Sequence, residues 1–160
     1  MVVLQVTGSP LRTEAAPGGI VTYELAGSVQ RAQAILDSWH AVRGYAYTNL
    51  AADFPFLLLY STSIGLACLW AGDVFCQRRW LFLAAPATAL ALGQWLAAVF
   101  DAIENVALLI MLNATSAAGP WPQIAWGFAV PKFVLVALGL LYALLGLCAR
   151  LFAKPATAMP

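Results

Sequence analysis

From Leu81 to Leu112 the chain runs for 32 residues in which Asp101 and Glu104 are the only ionisable side chains. A run of that length and polarity specifies a membrane helix, because hydrocarbon offers a backbone no hydrogen-bonding partner outside its own helix. A carboxylate in such a setting is costly and is kept where it meets a partner, a water-filled cavity or a ligand. Asp101, Glu104 and the adjoining Asn105 are therefore the candidate catalytic or binding residues.

The rest of the chain agrees with that class. Hydrophobic residues make up 62% and charged residues 9% of 160 residues, and the mean hydropathy is +0.83, outside the range of ordinary soluble domains. The length has room for three or four spans and a short extramembrane segment. A net charge of +1 leaves no nucleic-acid footprint and no basic tether for anionic lipid. Cys68, Cys76 and Cys148 are widely separated and form no CxxC, so no disulfide framework or zinc site is expected. His40 is the single histidine, which excludes bis-His haem ligation or a histidine metal cluster within one chain; beside Trp39 it reads as a surface or interfacial residue.

Residues 1–47 read as an extramembrane segment. Val2 to Val6 is β-like, Thr7-Gly8-Ser9-Pro10 is turn chemistry, and Ile20 to Leu25 reads as a second strand after Gly18-Gly19, so a hairpin is expected. No basic stretch followed by an apolar one precedes them, and a cleaved signal peptide is not expected. Ser28 can cap an amphipathic helix to about Trp39, with Val29, Ala32, Ile35, Leu36 and Trp39 on one face. Packing on the protein's own body and lying in the headgroup layer both fit that pattern.

A bundle is expected over 48–152, followed by a tail at 153–160. Its spans fall at about 54–72, 81–112 and 124–149. Pro55 suits a first helical turn, which makes Asp53 an N-cap; Tyr60 and Asn49 would share its face if the helix began earlier. The second span reads as one tilted helix bent near Pro86 or Gly93. Arg78 and Arg79, flanked by Trp70 and Trp80, mark a cytoplasmic loop, and Arg150 and Lys154 close the last span on the same side. The uncharged loop from Asn113 to Gln123, with Trp121 and Trp126 at the interface, is then external. The fold class is thus an all-α membrane protein with three transmembrane helices, N-terminus outside and C-terminus cytoplasmic. Arg31 and Arg43 weigh against that orientation, and a separate helix over Ala41 to Ala52 would make four.

Ala85, Ala89, Gly93 and Ala97 recur every four residues and lead into Asp101 and Asn105, a small-residue stripe that lets helices approach closely. At 100° per residue, Gln94, Asp101 and Asn105 fall within about 40° of one another. With Asp53 and Tyr60 they form a candidate polar cluster. Lys132 supplies a partner: Glu104 lies 14 residues before residue 118, the centre of the external loop, and Lys132 lies 14 after it. In an antiparallel hairpin the two reach the same depth, and Pro131 could open the backbone beside the lysine. A Glu104–Lys132 ion pair is expected, with Asp101 left over.

The segment Phe100-Asp101-Ala102-Ile103-Glu104-Asn105-Val106-Ala107-Leu108-Leu109, together with Ala52-Asp53-Phe54-Pro55-Phe56-Leu57-Leu58-Leu59-Tyr60 and Lys132-Phe133, resembles small bacterial multi-pass membrane proteins with no assigned activity. The resemblance covers roughly residues 20 to 150 and implies a bacterial inner-membrane protein without implying a mechanism. Three functions are compatible with these residues. The first and preferred is a structural or accessory subunit of a larger membrane assembly, with lipid and other subunits, or copies of itself, as partners. The second is an intramembrane enzyme or lipid-binding protein using Asp101 or Glu104, with Asn105 orienting the substrate. The third is a proton- or cation-coupled carrier acting as an oligomer. The residues specify no cofactor.

Overall fold

The computed structural model describes residue 6, residues 8–114 and residues 116–152. Among these the regular structure is entirely helical. A 3-10 turn, Ser9–Leu11, is followed by α1 (Ile20–Glu24), α2 (Val29–Ser38), α3 (Arg43–Gln77), α4 (Leu81–Ala84), α5 (Ala87–Asn113) and α6 (Trp121–Phe152). Three helices are long and apolar enough to cross a membrane, Arg43–Gln77, Leu81–Asn113 and Trp121–Phe152, as in a multi-pass membrane protein. The second of these comprises α4 and α5. The two are divided by a turn at Ala85-Pro86, where the proline ring removes a backbone donor.

The second strand of the expected hairpin is replaced by helix. Of the run Val2 to Val6 only Val6 lies among the described residues, and Ile20–Glu24 forms α1 instead of a strand. The reason is periodicity. A strand would send Tyr23 and Glu24 to opposite faces, whereas one helical turn buries both, and their burial outweighs the strand preference of Ile20, Val21 and Thr22. α2 is capped by Ser28, whose hydroxyl accepts from Arg31 N. Ala32, Ile35 and Leu36 are buried, so its apolar face packs on the protein's own body.

Asp53 is not an N-cap. α3 begins at Arg43 and takes in the stretch expected as a fourth helix, so Asp53 and Pro55 lie in its interior. The residue-47 boundary between the expected segment and bundle also falls inside α3. Ala46 and Leu50, one turn apart and fully buried, anchor the helix upstream of the proline. α6 likewise runs unbroken through Pro131, without the local opening expected there. Lys154 and the tail at 153–160 lie outside the described residues.

The chain divides into two compact units. The first joins residues up to 57 with 99–132. Its core gathers Leu11, Tyr23, Ile35, Leu36, Trp39, Leu50, Leu108, Met111 and Leu112. Tyr23 meets Trp39 edge-on at 5.2 Å, and the buried indole donates to Leu11 O at 2.8 Å, as a buried tryptophan requires. The second unit joins 58–98 with 133 onward, around Cys68, Ala71, Val74, Phe75, Ala87, Ala91, Tyr142 and Ala149. Tyr142 donates its hydroxyl to Leu83 O at 2.7 Å, satisfying a carbonyl next to the Pro86 break. α3 ends with Arg79 in the left-handed region at φ 59°, where Trp80 N donates to Phe75 O and Arg79 N to Cys76 O, closing the helix end.

Close packing in the second unit rests on glycine. A Cβ added at Gly146 would overlap Ala71, with the Ala71 Cα only 2.8 Å away, whereas one added at Gly127 in the first unit meets nothing within 4 Å. Gly146→Ala should therefore lose about 1–3 kcal/mol from overpacking. Gly127→Ala should gain up to about 1 kcal/mol from helix propensity. Thermal unfolding of the two variants in the same detergent checks the opposite signs.

Candidate functional site

Four helices bring polar side chains to one place in the first unit. On α5, Asp101, Glu104 and Asn105 stand at i, i+3 and i+4, which puts them on one face. On α6, Lys132 reaches that face: its Nζ lies 2.7 Å from Glu104 Oε2, 3.0 Å from Asp101 Oδ1 and 3.5 Å from Glu24 Oε2. On α3, Asp53 Oδ2 accepts from Asn105 Nδ2 at 2.7 Å. α1 contributes Glu24. The side chain of Glu104 is 0% exposed and that of Lys132 7%, so the contacts are withdrawn from water.

Lys132 therefore meets Glu104 and also Asp101, which the sequence had left without a partner. Tyr60 and Gln94, expected in the same cluster, belong to the second unit. Gln94 is engaged there, its amide donating to Leu135 O at 2.9 Å and Leu90 O at 3.3 Å. Glu24 is the functional residue that sequence reasoning missed. Its signal was weak: only a helical reading of Ile20 to Glu24 puts it on the buried face beside Tyr23.

The charges do not balance. Four of the seven acidic residues in the chain, Glu24, Asp53, Asp101 and Glu104, gather around one lysine. Stripping charges of water costs several kcal/mol per ion, which pairing and hydrogen bonding must offset. For Glu24, burial raises the carboxyl above its ordinary value; Lys132 opposes that and Asp101 adds to it. Burial also raises Tyr23, with Arg43 opposing.

Around the cluster the first unit is tied by further polar contacts. Tyr23 donates to Leu108 O at 3.4 Å, Tyr47 to Leu112 O at 3.1 Å, and Arg43 Nη2 to Ala114 O at 3.0 Å, so α1 and the start of α3 both grip the end of α5. Gln33 Oε1 accepts from Ala117 N, which fastens α2 to the loop before α6. Among the described residues no group of three or more His, Cys, Asp or Glu side chains has the geometry to hold a metal ion. The arrangement can pair charges, hold protons and lock helices together.

Comparison with protein-family models, with curated proteins and with solved structures finds no match.

Lys132→Met should strand the carboxyls of Asp101, Glu104 and Glu24 beside a thioether and lower stability by about 3–5 kcal/mol near neutral pH. Acid should reduce the loss, since protonation removes the stranded charge. Adding Asp101→Asn and Glu104→Gln to Lys132→Met should recover much of it, because the two carboxyls nearest the lost ammonium are then neutral. Unfolding monitored by size-exclusion fluorescence across pH reads all three effects; equal losses in the single and triple variants would contradict the charge argument.

Proposed function

We propose that this chain is a structural or accessory subunit of a membrane assembly, in which the polar cluster fixes the N-terminal segment and the membrane helices in one register. One observation carries the reading: Lys132 Nζ is shared by carboxyls from α1 and α5, and Asn105 extends the network to Asp53 on α3, so the polar groups are spent on joining four helices. Register-setting is the best-attested use of buried polar groups. The outer faces of the same helices support a role in assembly. Only 22% of the apolar window of α6 is buried, and Leu138, Leu141, Leu144 and Leu145 stand exposed along it. Those faces suit lipid and neighbouring subunits.

Helix length bears on where the cluster lies. With 35 and 32 residues, α3 and α6 extend about 52 and 48 Å, against roughly 30 Å of hydrocarbon. Glu104 is nine residues from the end of α5 and Lys132 eleven from the start of α6, about 14 and 16 Å. Those depths support placing the cluster toward the loop before α6, on the side of the N-terminal segment. The resemblance of the D-x-x-E-N helix to bacterial proteins supports placing the chain in a bacterial inner membrane. Arg78, Arg79, Arg150 and Lys154 support placing that opposite end in the cytoplasm.

A second reading, a proton-coupled carrier, is favoured by the surplus of carboxyls over the single lysine. An intramembrane enzyme would draw on the same Asp101 and Glu104.

Mild detergent extraction followed by native electrophoresis should show the 17.0 kDa chain migrating in a larger assembly. A lone monomer would count against the subunit reading. Asp101→Asn keeps the acceptor that Lys132 uses and should leave assembly and activity nearly intact. An assembled but inactive Asp101→Asn protein would move the carrier or enzyme reading into first place. For topology, an impermeant thiol reagent on single-cysteine variants should label position 119 from outside intact cells and leave position 78 unlabelled.

A further inference from the structure

Among its described residues, the second unit keeps every charged side chain at one end. Asp73 lies near the end of α3, Arg78 and Arg79 just beyond it, and Arg150 in the last turn of α6. Arg78 Nη2 donates to Arg150 O at 3.5 Å, which brings the two helix ends together. Three arginines thus stand against a single carboxyl, a concentration that the net charge of +1 averages away. Arg78 is engaged on the α6 carbonyl. Arg79 and Arg150 are exposed, and among the described residues neither guanidinium meets a carboxylate. Arg79 is also a costly residue for its backbone: at φ 59° it holds the left-handed position at a helix end, which glycine adopts freely and a residue with a Cβ does not.

Apolar surface lies uncovered beside these arginines. No residue of α4 is buried; Leu81 is 66% and Phe82 90% exposed, and Leu151 and Phe152 at the end of α6 are exposed as well. Trp80, between Arg79 and α4, stacks on Phe75 at 6.2 Å and still keeps 44% of its surface open. Exposed guanidinium groups next to exposed aromatic and aliphatic side chains match the two halves of a phospholipid, a charged headgroup over acyl chains.

We propose that this end of the second unit is a binding site for an anionic phospholipid, with Arg79 and Arg150 pairing the headgroup phosphate and Trp80, Leu81 and Phe82 lying among the acyl chains. Charge complementarity selects the class. A zwitterionic headgroup carries its own ammonium, which the arginines repel, whereas a phosphodiester headgroup without one offers a net negative charge to a surface that stays positive after Asp73 is counted. The guanidinium fork also fits phosphate oxygens in pairs. The site is independent of the subunit reading, since a monomer would hold the same lipid; native electrophoresis tests the one and lipid preference the other.

The test offers the full chain, purified in detergent, equal amounts of phosphatidylglycerol and phosphatidylcholine and measures the lipid retained by native mass spectrometry. Phosphatidylglycerol should be preferred, by roughly fivefold for each arginine engaged, and the preference should shrink as salt is raised. Arg79→Gly combined with Arg150→Gln should bring the two lipids close to parity. Arg79→Gly alone should lose part of the preference while its melting temperature in lipid-free detergent holds or rises, because glycine relieves the left-handed backbone. Arg31→Gln, at an exposed arginine of α2 in the first unit, should leave the preference unchanged. Equal retention of both lipids by the unaltered protein, a preference that survives the double variant, or one that falls equally in Arg31→Gln would overturn the proposal. A lower lipid-free melting temperature for Arg79→Gly would do so too, by assigning Arg79 to packing.

Discussion

Lys132 carries a charge that its surroundings tolerate because carboxyls from α1 and α5 meet it at 2.7, 3.0 and 3.5 Å. Much of the first unit is organised by that requirement. Glu104 and Asp101 have to lie on the face of α5 turned toward α6, which fixes the rotation of both helices. Asn105, one turn beyond Asp101, then necessarily points the same way and meets Asp53 of α3. Glu24 has to be brought in from outside the long helices, and the short turn of α1 achieves this by burying Tyr23 and Glu24 together. A hydrophobic contact tolerates sliding by a fraction of a turn, whereas a buried ion pair loses its partner and keeps its desolvation cost. The network is therefore better suited to selecting one arrangement than to adding net stability.

Each unit closes by a different means. In the first, large side chains fill the core, with Trp39, Tyr23 and Leu108 among the fully buried ones and the polar ends of Trp39 and Tyr23 bonded to backbone carbonyls. In the second, small residues dominate: Ala71, Ala87 and Ala91 are buried, and glycines at 72, 139 and 146 lie where a Cβ would collide with a neighbour. Without water to drive apolar surfaces together, helices in lipid gain from close backbone approach, which small residues permit. Gln94 exploits that proximity by bonding Leu135 O across two helices.

The long helices were legible because a membrane span leaves a signal that needs no tertiary information: length, apolarity and bounding charge. Ser28 as a cap was equally local, whereas the one helix expected over 81–112, bent near Pro86 or Gly93, is divided at Ala85-Pro86. The depth shared by Glu104 and Lys132 could be read from symmetry about the loop alone. Asp53 shows where local reading stops. Aspartate two residues before a proline suits a helix start so well that the alternative needed knowledge of what Ala46 and Leu50 pack against. Glu24 was hidden for a related reason: five residues of mixed propensity are decided by what they bury, and Ile20-Val21-Thr22 alone favours a strand. Gln94 shares the angular position of Asp101 and Asn105 on the helical wheel, yet its amide bonds Leu135 O and Leu90 O, which a wheel cannot show.

The missing residue also changes what the site can be. With Glu104 and Lys132 alone, the charges cancel and a register pin explains everything. Adding Asp101 leaves one negative charge over, which Asn105 and the lysine could share. Glu24 adds a further carboxyl, from an element that reaches the cluster without belonging to a long helix, and Asp53 lies one hydrogen bond away. Each carboxyl withdrawn from water adds a desolvation cost that Lys132 and Asn105 have to offset. Through Glu24 the N-terminal segment reaches the same ammonium that α5 uses, so its attachment and the register of the long helices are set by one side chain.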